Sequence, residues 1–275
     1  MIQINSKLQS LPPIYYFNLN HRTDRREYLE KQFSNYGITN YKRVNSSRYS
    51  VENYEEWKSK IITDKLRTEV WFLATLVDRI HGIIDWYNSN ESETCLIVED
   101  DLCFDTVEYW NFDWKTLVDR LPCNWECVQL HIIGENFIKM NLSKWTHNNH
   151  STGCVLINRS YAEKLIKLHY IDNKFKLYSN YGYNKNWPEY HYQSVDFVLY
   201  QIGVTYSIPV FTTNYNFISD GLRNGNINIM SKTCDELVLD WWKNKSTQYT
   251  TEDIFYLNSL KRKQLIMGVN HEFKR

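Results

Sequence analysis

The stretch TCLIVEDD, residues 94–101, decides the fold class of this chain. Cys95 to Val98 form a short apolar run, and Glu99, Asp100 and Asp101 follow with no transition. A run this short, bounded by polar residues, fits a β-strand buried on both faces. In an open α/β sheet, ligands bind beyond the carboxyl ends of the strands. Carboxylates crowded at such an end repel one another, which raises the cost of ionisation unless a cation is present. Hard divalent ions take oxygen ligands, keep several waters and also bind phosphates. The E-x-D pair of Glu99 and Asp101 therefore reads as a Mn²⁺ or Mg²⁺ bridge to a diphosphate; the plainer reading is a solvated acidic turn.

On the N-terminal side, IYYFNL at 14–19 follows the structure-breaking pair Pro12-Pro13 and reads as the first strand. A helix is expected over 24–36, with Asp24 and Glu27 as a capping box and Gly37 as the stop. A strand at 41–44 completes a β-α-β opening. The run YFNLNHRTDRR sets Asn18 at the strand end, with Arg22 and Arg25 on the loop and first helical turn. Guanidinium groups and helix N-terminal N–H groups both favour phosphate. The alternative is that Arg22, Arg25 and Arg26 are surface charges at a helix start.

Residues 68–87 carry apolar positions at helical spacing and predict a long helix before the acidic strand. Further strands are expected at 127–133, 154–157 and 204–208, and helices at 160–168, 195–201, 236–243 and 251–264. Segments 139–150 and 176–192 read as loops. Alternating strands and helices predict a mixed, mostly parallel sheet flanked by helices. One domain spanning 1–275 is expected, with its core over 14–220 and a helical extension over 221–275.

Bulk composition narrows the function classes. The 275 residues carry 32 basic and 32 acidic side chains, so no basic field exists to hold a nucleic-acid backbone. The 21 tyrosines and 10 tryptophans pair a flat apolar face with a polar tip, which suits sugar recognition as well as ordinary packing. Cys95, Cys103, Cys123, Cys127, Cys154 and Cys234 form no CxxC pair, and several lie in apolar runs as buried thiols. With no signal-like apolar segment at the start and no bilayer-length run, a reducing, cytoplasmic setting is expected. The Asn- and Tyr-rich composition suggests an AT-rich viral or bacterial genome.

Taken in order, several motifs resemble glycosyltransferase family 25, which includes lipopolysaccharide-type and collagen galactosyltransferases. They are the "NL" strand with its arginine-bearing loop, YKRVNSSRYS at 41–50, LIVEDD at 96–101 and ECVQLHI at 126–132. STGCVLINRSYAEKLI at 151–166 and QSVDFVLYQIGVTYSIPVFTTNYNFISD at 193–220 follow. The resemblance spans about 14–220. It implies a GT-A-type nucleotide-diphospho-sugar transferase fold and inverting transfer of a hexose from a UDP-sugar to a carbohydrate acceptor. Asp101 would be the main metal ligand, with Glu99 or Asp100 assisting. Asn18, Arg22 and Arg25 would lie at the nucleotide end, and Thr152 and Gly153 near donor or acceptor.

Asp196 would be the general base that takes the acceptor proton, with a structural helix salt bridge or N-cap as its plain reading. Asp220 and Glu189 compete for the base, and His191 is a candidate third metal ligand. The family's Gly, Ser and His positions on the helix before the acidic strand correspond to Trp71, Thr75 and Leu76. That departure suits a changed donor or a non-catalytic carbohydrate- or nucleotide-sugar-binding relative. A metal-dependent nucleotidyltransferase or phosphohydrolase also places acids at strand ends, although no Gly-rich phosphate loop is present.

Overall fold

The computed structural model describes residues 3–65, 69–89, 91–134, 137–178, 194–214, 216–217, 225–255 and 266–268. Its central sheet has seven strands: β1 (Ile14–Asn18), β2 (Tyr41–Asn45), β3 (Thr94–Glu99), β4 (Cys127–Gln129), β5 (Ser143–Lys144), β6 (Cys154–Asn158) and β7 (Thr205–Ser207). Their spatial order is β2-β1-β3-β6-β4-β7-β5. The β1–β2, β1–β3 and β4–β7 pairs are parallel, and β3–β6, β4–β6 and β5–β7 are antiparallel. Five of the seven strands thus run one way, and β5 and β6 oppose them.

Burial explains why β3 lacks alternation. Side chains point to opposite faces along a strand. Leu96 and Val98 join Ile14 and Tyr16 in one apolar cluster, while Cys95 and Ile97 join Tyr15 and Phe17 in the other. Helices cover both faces. On the first lie α1 (Thr23–Tyr36), through Leu29 and Phe33, and α5 (Gly225–Asn244), through Val238, Trp241 and Trp242. On the second lie α2 (Val70–Ser89), α3 (Arg159–His169) and α4 (Val195–Gln201). The Trp242 indole is fully buried and donates to the Pro209 carbonyl at 2.8 Å, tying α5 to the loop after β7.

Several expectations change in detail. The α1 start is not a capping box. Arg22 occupies the cap position without a side-chain cap bond, and the Asp24 carboxylate turns to the Arg22 guanidinium at 3.0 and 2.7 Å. A two-pronged, charge-assisted pair is a stronger partner than an amide N–H. Gly37 does end α1, at φ +69°, and a Cβ there would lie 2.7 Å from the Gln3 carbonyl oxygen. The strand expected over 127–133 stops at Gln129, and a separate Ile133–Gly134 strand pairs with Asn149–His150. The 139–150 segment therefore holds short strands, including edge strand β5. Two-residue pairings leave no periodic signal to read. The helix expected at 236–243 begins at Gly225. Most of 176–192 lies outside the described residues. Among the described residues, no helix is long and apolar enough to cross a membrane.

The seat of α2 on β1 is close at Gly82. A Cβ there would fall 2.3 Å from the Phe17 ring, and that ring is buried with the Arg79 guanidinium 4.0 Å above its centre. Alanine normally stabilises a helix interior by about 1 kcal/mol over glycine. Here overpacking outweighs that gain, and Gly82→Ala is expected to destabilise the fold by about 1–3 kcal/mol. Urea unfolding checks this, and a stabilised variant would show that the contact relaxes freely.

Candidate functional site

The carboxyl ends of β1 and β3 lie side by side, and this places Asn18 next to the acidic step. The Asn18 amide is 1% exposed; it donates to Asp100 Oδ2 at 2.8 Å and to the Arg22 carbonyl at 2.9 Å. Its Oδ1 accepts from Arg43 Nε of β2 at 3.0 Å. One side chain thereby fixes two strand ends and the loop into α1. From the first turn of α1, Arg25 Nη1 donates to Asp100 Oδ1 at 3.1 Å and stands 3.6 Å from Asp101 Oδ2. Its Nη2 donates to the Phe217 carbonyl at 2.5 Å.

Glu99 turns to other partners. Its Oε1 accepts from Arg79 Nη2 and from Thr152 Oγ1, each at 2.8 Å. Its backbone N–H donates to the Gly153 carbonyl at 2.9 Å, so the β3 end and the 151–153 loop form one unit. Arg79 is 3% exposed on the apolar face of α2, one turn from buried Leu76 and Ile83. A basic residue on such a face was the sequence signal for its role, and sequence reading passed over it.

Burial sets the electrostatics. Desolvation, followed by the neighbouring Glu99 charge, lifts the Asp101 carboxyl to about 7 despite Arg25. Burial also raises Asp100, against the pull of Arg25 and Asn18. Asp101 Oδ1 is buried and has no hydrogen-bond partner among the described residues. An orphaned, costly carboxylate oxygen is what a hard cation would satisfy. Among the described residues, however, no three His, Cys, Asp or Glu side chains converge into a complete cage. Divalent ions that bind phosphates often take only one or two carboxylates from the protein, so the residues present fit such an ion.

In front of this step opens a cavity of about 390 Å³. Arg22, Arg25 and Arg79 lie in its wall with Glu99, Asp100 and Asp78. Asp78 was not singled out from sequence; it is 3% exposed, and burial lifts its carboxyl to about 7. Of the positions that depart from the family 25 pattern, Trp71 and Thr75 face this cavity and Leu76 is fully buried in the core. Arg22 also keeps its pair with Asp24, whose carboxyl it holds down to about 2.

The other expected residues fall as follows. Thr152 holds Glu99. At Gly153 a Cβ would meet His131 Nδ1 at 2.5 Å, so the glycine makes room for that ring. Asp196, in the first turn of α4, accepts the Ser151 backbone N–H at 2.9 Å and does not line the arginine-rich cavity. Glu189, His191 and Asp220 lie outside the described residues. Sequence reading also missed His131, which is 2% exposed and lies between Ser151 Oγ at 2.6 Å and Asp235 Oδ1 at 2.9 Å.

No family model matches the chain, and no curated protein matches it. A solved structure of the inositol-1-phosphate CTP transferase from T. maritima is similar at 9% identity and a TM-score of 0.37, over 83% of this chain and 98% of that one. The expected transfer of a hexose from a UDP-sugar is corrected here: no family model and no curated protein supports it, and the similar structure is that of an inositol-1-phosphate CTP transferase.

Asp101 has a testable effect on stability. Its folded value of about 7 lies above the ordinary aspartate value of about 3.9, so its ionisation opposes folding. The stability it contributes is complete below about pH 4 and is lost as pH rises through about 7. In cation-free buffer, Tm should fall over that window. Asp101→Asn should flatten part of the fall, since Asp78 acts in the same direction. Parallel Tm–pH curves for variant and wild type would contradict this.

Proposed function

We propose that this chain is a transferase for a nucleotide phosphate that depends on a divalent cation, and that its reaction is nucleotidyl transfer. An acceptor oxygen bonds to the α-phosphorus of a nucleoside triphosphate, the bond to the bridging oxygen breaks, and pyrophosphate leaves. The observation that carries this reading is the orphaned, buried oxygen of Asp101, whose other carboxylate oxygen lies 3.6 Å from Arg25 in the wall of the arginine-rich cavity. The proposal includes a nucleotide-diphospho-sugar transferase type of fold, which the order and directions of the seven strands support.

Asp101 and Glu99 would hold Mg²⁺ or Mn²⁺, which when bound offsets phosphate charge as a Lewis acid. The protein's own residues do the rest. Arg22 and Arg25 offer planar donors to phosphate oxygens at the cavity wall. Asn18 keeps Asp100 and Arg25 in register. Arg79, clamped over Phe17, fixes the Glu99 carboxylate so that it need not reorganise during reaction.

The test is pyrophosphate release from each of the four nucleoside triphosphates, with phosphorylated sugars and polyols as acceptors and Mg²⁺ or Mn²⁺ present. EDTA should abolish release. Asp101→Asn should lower kcat about a hundredfold or more, and Arg25→Ala should raise KM for the nucleotide about tenfold. Nucleotide binding without turnover would reduce the protein to a binding relative. Release indifferent to EDTA and to Asp101→Asn would remove the proposed site.

A further inference from the structure

The 151–153 loop holds a second chemical constellation, outside the arginine-walled cavity. His131 Nε2 lies 2.9 Å from Asp235 Oδ1, and Thr213 Oγ1 donates to Asp235 Oδ2 at 2.6 Å. His131 Nδ1 lies 2.6 Å from Ser151 Oγ. When the ring proton is on Nε2, Asp235 accepts it, and Nδ1 presents its lone pair to the serine hydroxyl. This is the serine–imidazole–carboxylate alignment of nucleophilic catalysis, with the two ring nitrogens exchanged relative to the chymotrypsin arrangement. Asp235 is 4% exposed and His131 2%, whereas Ser151 is half-buried. Asp235 and His131 are thus buried, and Ser151 is the least buried of the three.

Ser151 is held in this position at a cost. Its φ is +95°, a region that residues with a Cβ rarely enter. Such strain persists only where the surroundings over-determine it, and it clusters at functional sites. Here every polar group of Ser151 is engaged. Its N–H donates to Asp196, its carbonyl accepts from Gln129 Nε2 at 3.0 Å and from the Tyr200 hydroxyl, and its Oγ accepts from the Gly153 N–H at 3.0 Å. Gly153 lacks the Cβ that would strike the His131 ring at 2.5 Å.

We propose that Ser151 is a nucleophile activated by His131 and Asp235, and that its electrophile is the phosphorus of a phosphate ester or anhydride. The class of electrophile rests on the nucleotide-phosphate reading above, because Thr152, the next residue, holds Glu99 of the cavity wall. The serine proton passes to His131 Nδ1 as the Oγ–P bond forms. The P–O bond to the leaving group breaks, and that oxygen, of an alcohol in an ester or of a phosphate in an anhydride, takes the proton back. Burial disfavours a charged ring, but the Asp235 carboxylate beside Nε2 lifts the His131 pKa above the usual histidine value. That carboxylate stabilises the imidazolium formed when the proton is transferred.

A fluorophosphonate probe tests the centre independently of any nucleotide. The probe's P–F bond breaks, Oγ–P forms, and fluoride leaves with the serine proton. Wild-type protein should be labelled once, at Ser151 by peptide mass spectrometry, and Ser151→Ala should not be labelled. Asp235→Asn should slow labelling at least about a hundredfold. Ser151→Gly, which accommodates φ +95°, should keep or raise Tm and lose the label, separating chemistry from folding. A folded wild type that leaves Ser151 unlabelled overturns the proposal, as does labelling of Asp235→Asn at the wild-type rate. Labelling without pyrophosphate release would leave this centre standing while removing the nucleotidyl-transfer reading, and release without labelling would do the reverse.

Discussion

The carboxyl end of the sheet is organised around the cost of keeping three consecutive carboxylates largely out of water. Asp100 and Asp101 are 7% and 8% exposed, so their charges are only partly solvated. Breaking a buried ion pair by removing one partner leaves an uncompensated charge, at a cost of about 3–5 kcal/mol. Arg25 serves Asp100 and Asp101 together, and Arg79 serves Glu99. The surrounding elements hold these two guanidiniums in place. Phe17 lies beneath Arg79, the Phe217 carbonyl caps Arg25, and Gly82 lets α2 approach closely enough for Arg79 to reach β3.

Compensation is incomplete. Asp101 Oδ1 has no hydrogen-bond partner among the described residues, and neither do Asp78 Oδ1, Arg25 Nε and Arg79 Nε. The unpaired Asp101 oxygen favours the protonated acid in the absence of a cation. Under the proposed function the same oxygen would favour a cation that arrives with phosphate oxygens to complete its shell. Stability and ligand affinity would then oppose each other at this residue.

The loop 151–153 joins this step to a second network. Thr152 holds Glu99 on one side, and Ser151 meets His131 on the other, with Gly153 leaving space between them. Three successive residues point to three different partners because the backbone at Ser151 is left-handed, which turns the chain sharply before β6 begins. Asp196, assigned from the family resemblance to proton removal, engages the backbone of this same loop and so helps to hold the strained turn.

By itself the sequence determined that β3 is buried on both faces, because an unbroken apolar run of strand length leaves no face for water. It also determined the acidic step, the β-α-β opening, and the end of α1 at Gly37, since these depend on residues within one or two turns of each other. Only the tertiary structure decided which charges meet. Arg79 and Glu99 are 20 residues apart, Arg25 and Asp100 are 75 apart, and His131 and Asp235 are 104 apart. Those meetings follow from strand order and from helices packing across the sheet. Local periodicity carries no information about either, because it records which face of an element is buried and not what is buried against it.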